Sequence, residues 1–195
     1  MGRTREAGPM IAAVLLIALG IVLAILMQNR LAQARAAVDA GFHGIEVQLK
    51  RRHDLVPALV AAVKGAMAHE TALIDRLMAA RAAAMAAPAE PEAAAAAEEV
   101  LSRSLRAFVA YAEDTPEITA TANIRDFQRS LEETEDQISA ARRLYNGNVQ
   151  RFNTLLDAIP FCWLARAMKL QPARYFTLSE TEARAVQAVP DTRLT

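Results

Sequence analysis

The chain lacks several features that would suggest familiar functions. It has a single cysteine, Cys162, so its 195 residues hold no disulfide within the chain. Aromatic residues make up only 5% of the sequence, too few for surfaces that stack nucleic-acid bases. Lys and Arg number 22, as do Asp and Glu, so no positive excess attracts nucleic acid. The 7 glycines are scattered and form no phosphate-binding loop. We therefore expect neither a nucleic-acid partner nor a bound nucleotide.

A long uncharged segment lies near the start of the chain. Residues 7–29 contain no Asp, Glu, Lys or Arg and would extend ~34 Å as a helix, enough for the roughly 30 Å core of a bilayer. A cleaved signal peptide is the alternative, because Arg3 and Arg5 precede the segment and residues 32–34, Ala-Gln-Ala, resemble a cleavage site. The apolar part exceeds the ~7–15 residues usual for a signal peptide. Residues 1–29 are therefore predicted to be a tail and a transmembrane anchor, with residues 7–29 contacting the lipid bilayer.

The charges beside this segment do not select its orientation. Arg3 and Arg5 on one side are matched by Arg30 and Arg35 on the other, within the ~15–20 residues that the positive-inside rule counts. The side of the membrane that the following residues occupy stays open.

The remaining pattern is helical, because no segment alternates with a period of two residues. The first soluble helix is predicted to continue from the anchor to about Ala86. Its apolar residues recur at alternating spacings of four and three, a heptad seam on which only Arg52 and Glu70 are polar. The seam consists of Val38, Phe42, Ile45, Leu49, Arg52, Val56, Leu59, Val63, Ala66, Glu70, Leu73 and Leu77.

Pro57 lies inside this predicted helix but off its seam. The register is the same before and after the proline, which favours a continuous, kinked helix. The alternative is two helices, with Asp54 as the N-cap of the second and Pro57 in its first turn.

Two more long helices are predicted after a loop at residues 87–92. One runs from Glu92 to about Glu113 and would bury Leu101, Leu105, Phe108 and Ala112. The other runs from about Asn123 to Ala158, before Pro160, with the seam Ile124, Phe127, Leu131, Thr134, Ile138, Ala141, Tyr145, Asn148, Phe152, Leu155 and Ile159. A short apolar element at residues 161–170, an irregular stretch at 172–176 and a short helix to Val189, capped by Ser179 and Glu182, complete the chain.

Helices with one apolar seam each must bury it against one another. We therefore predict an all-α fold, in which an N-terminal transmembrane helix precedes an antiparallel helical bundle of three long helices plus a short fourth element. The bundle would occupy residues 30–176, and residues 177–195 would form a C-terminal extension with the short helix.

Several motifs, in order, resemble the LemA family of membrane-anchored bacterial helical proteins. The resemblance covers about residues 30–176 and places the anchor where the family has one. It is carried by VQLKRRHDLVPALVAAVKG at 47–65 with His69-Glu70, by LEETEDQI at 131–138 and ARRLYN at 141–146, and by Val149, Phe152-Asn153, Pro160 and Tyr175-Phe176. The chain departs from the family at Phe42-His43, where an aromatic-Ser pair is usual.

The resemblance implies an elongated antiparallel bundle on a single-pass anchor in the bacterial cytoplasmic (inner) membrane, without an established catalytic activity. Some relatives resemble accessories in membrane remodelling, and others are associated with membrane proteases. From this we expect a membrane-anchored, non-enzymatic scaffold or interaction protein, which presents a charged helical bundle to protein partners or to copies of itself in membrane organisation or remodelling. The alternative is an accessory or adaptor subunit of a membrane protease.

A charged set of residues is the candidate interaction or charge network. Arg52 falls on the seam and needs a carboxylate partner if it is buried. Arg52 or Arg51 is predicted to meet the acidic group of the third long helix within the bundle, although the same charges could pair between subunits instead. The candidate residues are Lys50, Arg51, Arg52, Glu132, Glu135, Asp136, Arg142 and Arg143.

Other candidates for chemistry are weak. His69-Glu70 begins a zinc-protease HExxH motif, but Leu73 stands where the second histidine belongs. Cys162 has no His or Asp nearby in sequence to activate it. A lipid-headgroup role for Arg51 is disfavoured because it lies about 22 residues, or ~33 Å of helix, past Asn29. We predict no catalytic residue, no metal and no cofactor.

Overall fold

The computed structural model describes residues 4–63, 67, 70–115 and 122–177, and side chains from residues 10 and 125 onward in the helices that begin at 4 and 122. This part of the chain is all-α and contains no strand, which confirms the predicted class. The helices are α1 (Thr4–Val63), α2 (Thr71–Ala86), α3 (Pro91–Asp114), α4 (Ala122–Asp157) and α5 (Phe161–Ala167). Residues 171–177 are irregular, as predicted.

The first helix confirms one prediction and corrects another. Pro57 lies inside α1, so the helix is continuous through the proline. The helix does not run to Ala86, however, because α1 ends at Val63 and α2 begins at Thr71. Glu70 has φ −107° and ψ 44°, which is not helical. The apolar spacing resumes beyond this turn with Leu77, and periodicity alone therefore concealed the break.

The N-terminal part of α1 is long and apolar enough to cross a membrane. Every side chain from Met10 to Leu26 is exposed. The charged and seam-bearing part of the helix follows, and Leu31 is its first fully buried residue among those described.

The chain divides into two compact units. Unit 1 joins residues up to Asp39 with Asn148–Ala173, and unit 2 joins Ala40–Gly147 with residues from Arg174 onward. In unit 1, Asn148 Nδ2 donates to the backbone oxygen of Ala37 at 2.8 Å.

A hydrophobic core in unit 2 draws on four helices. The residues predicted on α3 are all buried there: Leu101, Leu105, Phe108 and Ala112. They pack with Val56, Leu59 and Val63 of α1, Leu77 and Ala80 of α2, Phe127 of α4, and Met67. α3 begins with Pro91 in its first turn, where the missing N–H costs no helical hydrogen bond.

The buried stripe of α4 follows the prediction at first and then shifts. Phe127, Thr134, Ile138, Tyr145 and Phe152 are buried as expected. After Tyr145 the buried positions move to Val149 and Leu156, and Ile159 is 76% exposed. The predicted burial of Ile159 is therefore wrong. The α-helix repeats every 3.6 residues, so a strict heptad drifts by about 20° per repeat, and α4 also ends before residue 159.

Two asparagines of α4 bind the irregular C-terminal segment through its backbone. In unit 2, Asn146 Nδ2 donates to the Phe176 oxygen at 3.1 Å, and the Phe176 N–H donates to Asn146 Oδ1 at 2.9 Å. In unit 1, Asn153 forms the same pair of bonds with Ala173, at 3.0 and 2.8 Å. Phe176 is fully buried. The proposed helix capped by Ser179 and Glu182 lies outside the described residues.

Substitution of Asn146 with leucine is expected to loosen the segment around Phe176. The change removes two hydrogen bonds, each contributing about 0.5–1.5 kcal/mol, so local opening should become easier by about 1–3 kcal/mol. Hydrogen exchange of peptides that contain Phe176 measures this effect. Gln150→Leu, at an exposed position of the same helix, is the control. Unchanged exchange in Asn146→Leu would show that the two bonds do not secure the segment.

Candidate functional site

A buried charge network in unit 2 joins α1 to α3 and α4. Arg52 and Glu98 each have a side chain that is 2% exposed. Arg52 Nη1 donates to Glu98 Oε2 at 3.3 Å and to Ser102 Oγ at 2.8 Å, and Arg52 Nη2 forms an ion pair with Glu135. His53 Nε2 lies 2.5 Å from Glu98 Oε1. Glu98 therefore uses one carboxylate oxygen for each of two neighbouring residues of α1.

The network joins two consecutive residues of α1, Arg52 and His53, to residues one turn apart on α3. Consecutive residues of a helix differ by about 100° in direction, so Arg52 on the seam and His53 beside it reach the two oxygens of Glu98 from different directions. Ser102 is four residues after Glu98 and lies on the same side of α3. Arg52 Nε is buried, and no acceptor for it lies among the described residues. An unmade hydrogen bond of this kind adds to the cost of burying the guanidinium.

Arg81 of α2 makes a second contact beside the network, with the backbone of His53, four residues before Pro57. A proline has no N–H, so the carbonyl of the residue four positions earlier, His53, loses its usual helical donor. Arg81 Nε of α2 donates to that carbonyl at 2.7 Å. The proline thus exposes a backbone acceptor on α1, and an arginine of α2 occupies it.

The acidic candidates of α4 lie in different environments. Glu135 pairs with buried Arg52, although its own side chain is 48% exposed. Glu132 and Asp136 are exposed. The structure thus brings Arg52 to the predicted acidic group, but only through Glu135.

The basic candidate residues also differ in their exposure to solvent. Arg52 is buried, whereas Lys50 and Arg51 are exposed. Arg143 is exposed and donates to Ser139 Oγ at 2.9 Å, and Arg142 is half-buried. Whether any of the candidate residues binds a partner stays a prediction.

An open cleft of about 620 Å³ carries Arg51 on its wall. Its lining is mostly polar, with charges of both signs from α1 and α4. The lining residues are Arg51, Asp54, Leu55, Ser130, Glu133, Thr134, Asp136 and Gln137. Mixed charge in an open groove suits a polar or charged peptide segment better than an apolar small molecule.

A second cleft, of about 280 Å³, reaches the buried network from another side. Glu46, Lys50 and His53 of α1 line it together with Glu98 of α3 and the loop around Pro88. His53 is 8% exposed. The His53–Glu98 contact therefore lies at a cleft wall, with both residues already engaged in the network.

Sequence reasoning missed Glu98, Ser102 and Arg81. The signal for Glu98 was present, because the α3 stripe of 112, 108, 105 and 101 continues backward at the same spacing to 98. A polar residue on that stripe is the counterpart of Arg52 on α1. No local pattern marks Arg81, whose partner is a backbone oxygen far away in sequence.

The fold and the network define a class of all-helical protein, with one N-terminal segment long and apolar enough to cross a membrane and a buried ion-pair network between helices. The model of the LemA family matches residues 41–190. The chain belongs to the LemA family, which confirms the resemblance seen in its motifs. The match starts within α1, includes the whole charge network and extends over residues 177–190. A search of curated proteins gives no match.

Proposed function

We propose that this protein is a membrane-anchored, non-enzymatic scaffold that presents a charged helical bundle to a protein partner or to copies of itself. The observation that carries the proposal is that neighbouring residues of the run Lys50-Arg51-Arg52 lie in different environments. Arg52 is buried in ion pairs, whereas Arg51 lines the open cleft of about 620 Å³ between charged residues of α1 and α4. Buried charge thus holds the helices together, and exposed charge remains for recognition.

The anchor in this proposal is the apolar part of α1. Its side chains from Met10 to Leu26 are all exposed, which suits a lipid environment and is costly in water. We place the protein in the bacterial inner membrane with a single span, and the remaining helices in an antiparallel bundle outside the bilayer.

The contacts of His53 and Glu98 also fit a binding role better than a catalytic one. His53 and Glu98 form a buried histidine–carboxylate pair, and both are held in the network with Arg52. A general base must be free to take a proton from substrate. A Glu98 carboxylate that already accepts from Arg52 and lies against His53 is better suited to holding helices together.

Charge reversal at Arg51 tests the proposal. Arg51→Glu places a fourth acidic residue on the wall of the cleft beside Asp54, Glu133 and Asp136, and we expect it to reduce the capture of partners by crosslinking and pull-down from membranes. Because Arg51 is exposed, the fold should be unaffected, which circular dichroism checks. Arg106→Glu, at an exposed position of α3, is the matched control and should capture partners normally. Recovery of the same partners in the same amounts by Arg51→Glu would refute the role of this cleft.

A further inference from the structure

The α5 region exposes large apolar side chains together with basic ones. Ile159 is 76% exposed, Trp163 64% and Met168 41%. Arg166 and Lys169 are exposed beside them. Ile159, Trp163 and Arg166 border one cleft of about 460 Å³, to which Asp157 contributes the one acidic group. Exposed tryptophan with apolar and basic neighbours is typical of segments that lie at a membrane surface.

The contacts within unit 1 place α5 at one end of the apolar segment. Asn148 of α4 bonds to Ala37 of α1, and the rest of α4 and α5 belongs with residues before Asp39. The 9 residues from Asn148 to the α4 end at Asp157 rise ~14 Å, and the same rise along α1 leads from Ala37 back to Gln28. The end of α4 is therefore level with the last uncharged residues of α1.

The burial pattern of α1 agrees with this placement. No side chain from Met10 to Arg30 is fully buried, whereas Leu31 is only 1% exposed. In unit 1 the end of α4 contributes buried Val149, Phe152 and Leu156, and α5 contributes buried Ala165. Burial of α1 side chains thus begins where its apolar segment ends, and α5 lies at that level of the helix.

We infer that α5, with the residues on either side of it from Ile159 to Lys169, is an interfacial membrane contact, in which Ile159 and Trp163 enter the boundary between headgroups and acyl chains. Arg166 and Lys169 then face the lipid phosphates. The occupant of this surface is the bilayer that surrounds the span, since the end of α4, which precedes α5, is level with the last uncharged residues of α1. The inference rests on the proposed membrane anchor and adds a second, peripheral contact that fixes how α4 and α5 stand against the membrane.

The intrinsic fluorescence of the protein tests this directly, because Trp163 is its one tryptophan. The full chain is reconstituted in vesicles of phosphatidylcholine and phosphatidylglycerol. We expect emission at shorter wavelength than that of an exposed tryptophan, protection from the aqueous quencher acrylamide, and strong quenching by lipids brominated at the headgroup end of the acyl chain. Lipids brominated near the terminal methyl should quench less.

The control is a tryptophan of equal exposure elsewhere. Leu144 is also 64% exposed and precedes Asp157 on α4 by 13 residues, or ~20 Å. The double variant Trp163→Phe, Leu144→Trp should emit like a tryptophan in water and respond to acrylamide but not to brominated lipid.

Two failures can be told apart. If the chain does not float with the vesicles in a density gradient, the proposed anchor is wrong. If it floats but Trp163 responds to acrylamide and not to brominated lipid, the anchor stands and the α5 contact is refuted. A blue-shifted emission that brominated lipid does not quench would assign the surface to a second copy of the chain, and would also refute the inference.

Discussion

Replacement of Glu98 with alanine is expected to lower the free energy of unfolding by about 3–5 kcal/mol, the usual cost of removing one partner from a buried ion pair. Arg52 would lose its buried carboxylate and keep the Ser102 hydroxyl and one carboxylate, that of Glu135, whose side chain is 48% exposed. His53 would lose its partner as well. Urea unfolding of the detergent-solubilised full chain, followed by far-UV circular dichroism, measures the change.

Glu135→Ala is the matched control, because it removes the other carboxylate that Arg52 contacts. Its half-exposed position predicts a cost of only about 0–1 kcal/mol. Equal losses in the two variants would contradict the central role of Glu98.

A double variant separates the loss of a charge partner from the loss of packing. Arg52→Met with Glu98→Gln removes both charges and leaves a polar group for His53. Replacement of a buried ion pair by well-packed hydrophobic residues of similar volume is often neutral or stabilising, and Arg52 Nε has no acceptor among the described residues. We expect this variant to recover most of the stability that Glu98→Ala loses. If the double variant is as unstable as Glu98→Ala, then packing, and not charge pairing, determines the contribution of this position to the free energy of unfolding.

Arg81→Met is expected to cost about 1.5–3 kcal/mol, the range for hydrogen bonds to charged groups, but only while Pro57 is present. Pro57→Ala supplies an N–H to the His53 carbonyl, which Arg81 otherwise occupies. In that background the cost of Arg81→Met should fall, which gives a coupling energy of about 1–2 kcal/mol in a double-mutant cycle.

The Pro57→Ala change should itself stabilise the chain by up to about 3 kcal/mol, because proline is unfavourable inside a helix by that amount relative to alanine. The same urea titrations measure all four proteins of the cycle. Strictly additive effects of the two substitutions would refute the link between the proline and the arginine.

Much of the packing was predictable because each long helix carries its own seam. The stripe on α3 from Leu101 to Ala112 was correct at every position, and Arg52 stood out as a charged residue on an apolar stripe. These features depend on the 3.6-residue period alone, which is local information.

The pairing of helices was harder to predict because it is not local. The sequence suggested that Arg52 needs a carboxylate, and the α4 acids were the obvious group. Glu98 supplies the buried contact, 46 residues away on α3. The end of α1 at Val63 also escaped detection, because a turn that preserves the apolar register leaves the seam intact across the break.

The asparagine contacts of α4 have a consequence for how the chain tolerates substitution. Asn153 bonds to the peptide group of Ala173 and not to its side chain. Every residue except proline offers that N–H and C=O, so position 173 can vary in chemistry without losing its attachment. Asn153 has no such freedom, because a carboxylate in its place would lack the donor and an alkyl side chain would lack both groups. Because Asn153 binds only the backbone of residue 173, the segment stays attached to α4 whichever side chain, other than proline, that position carries.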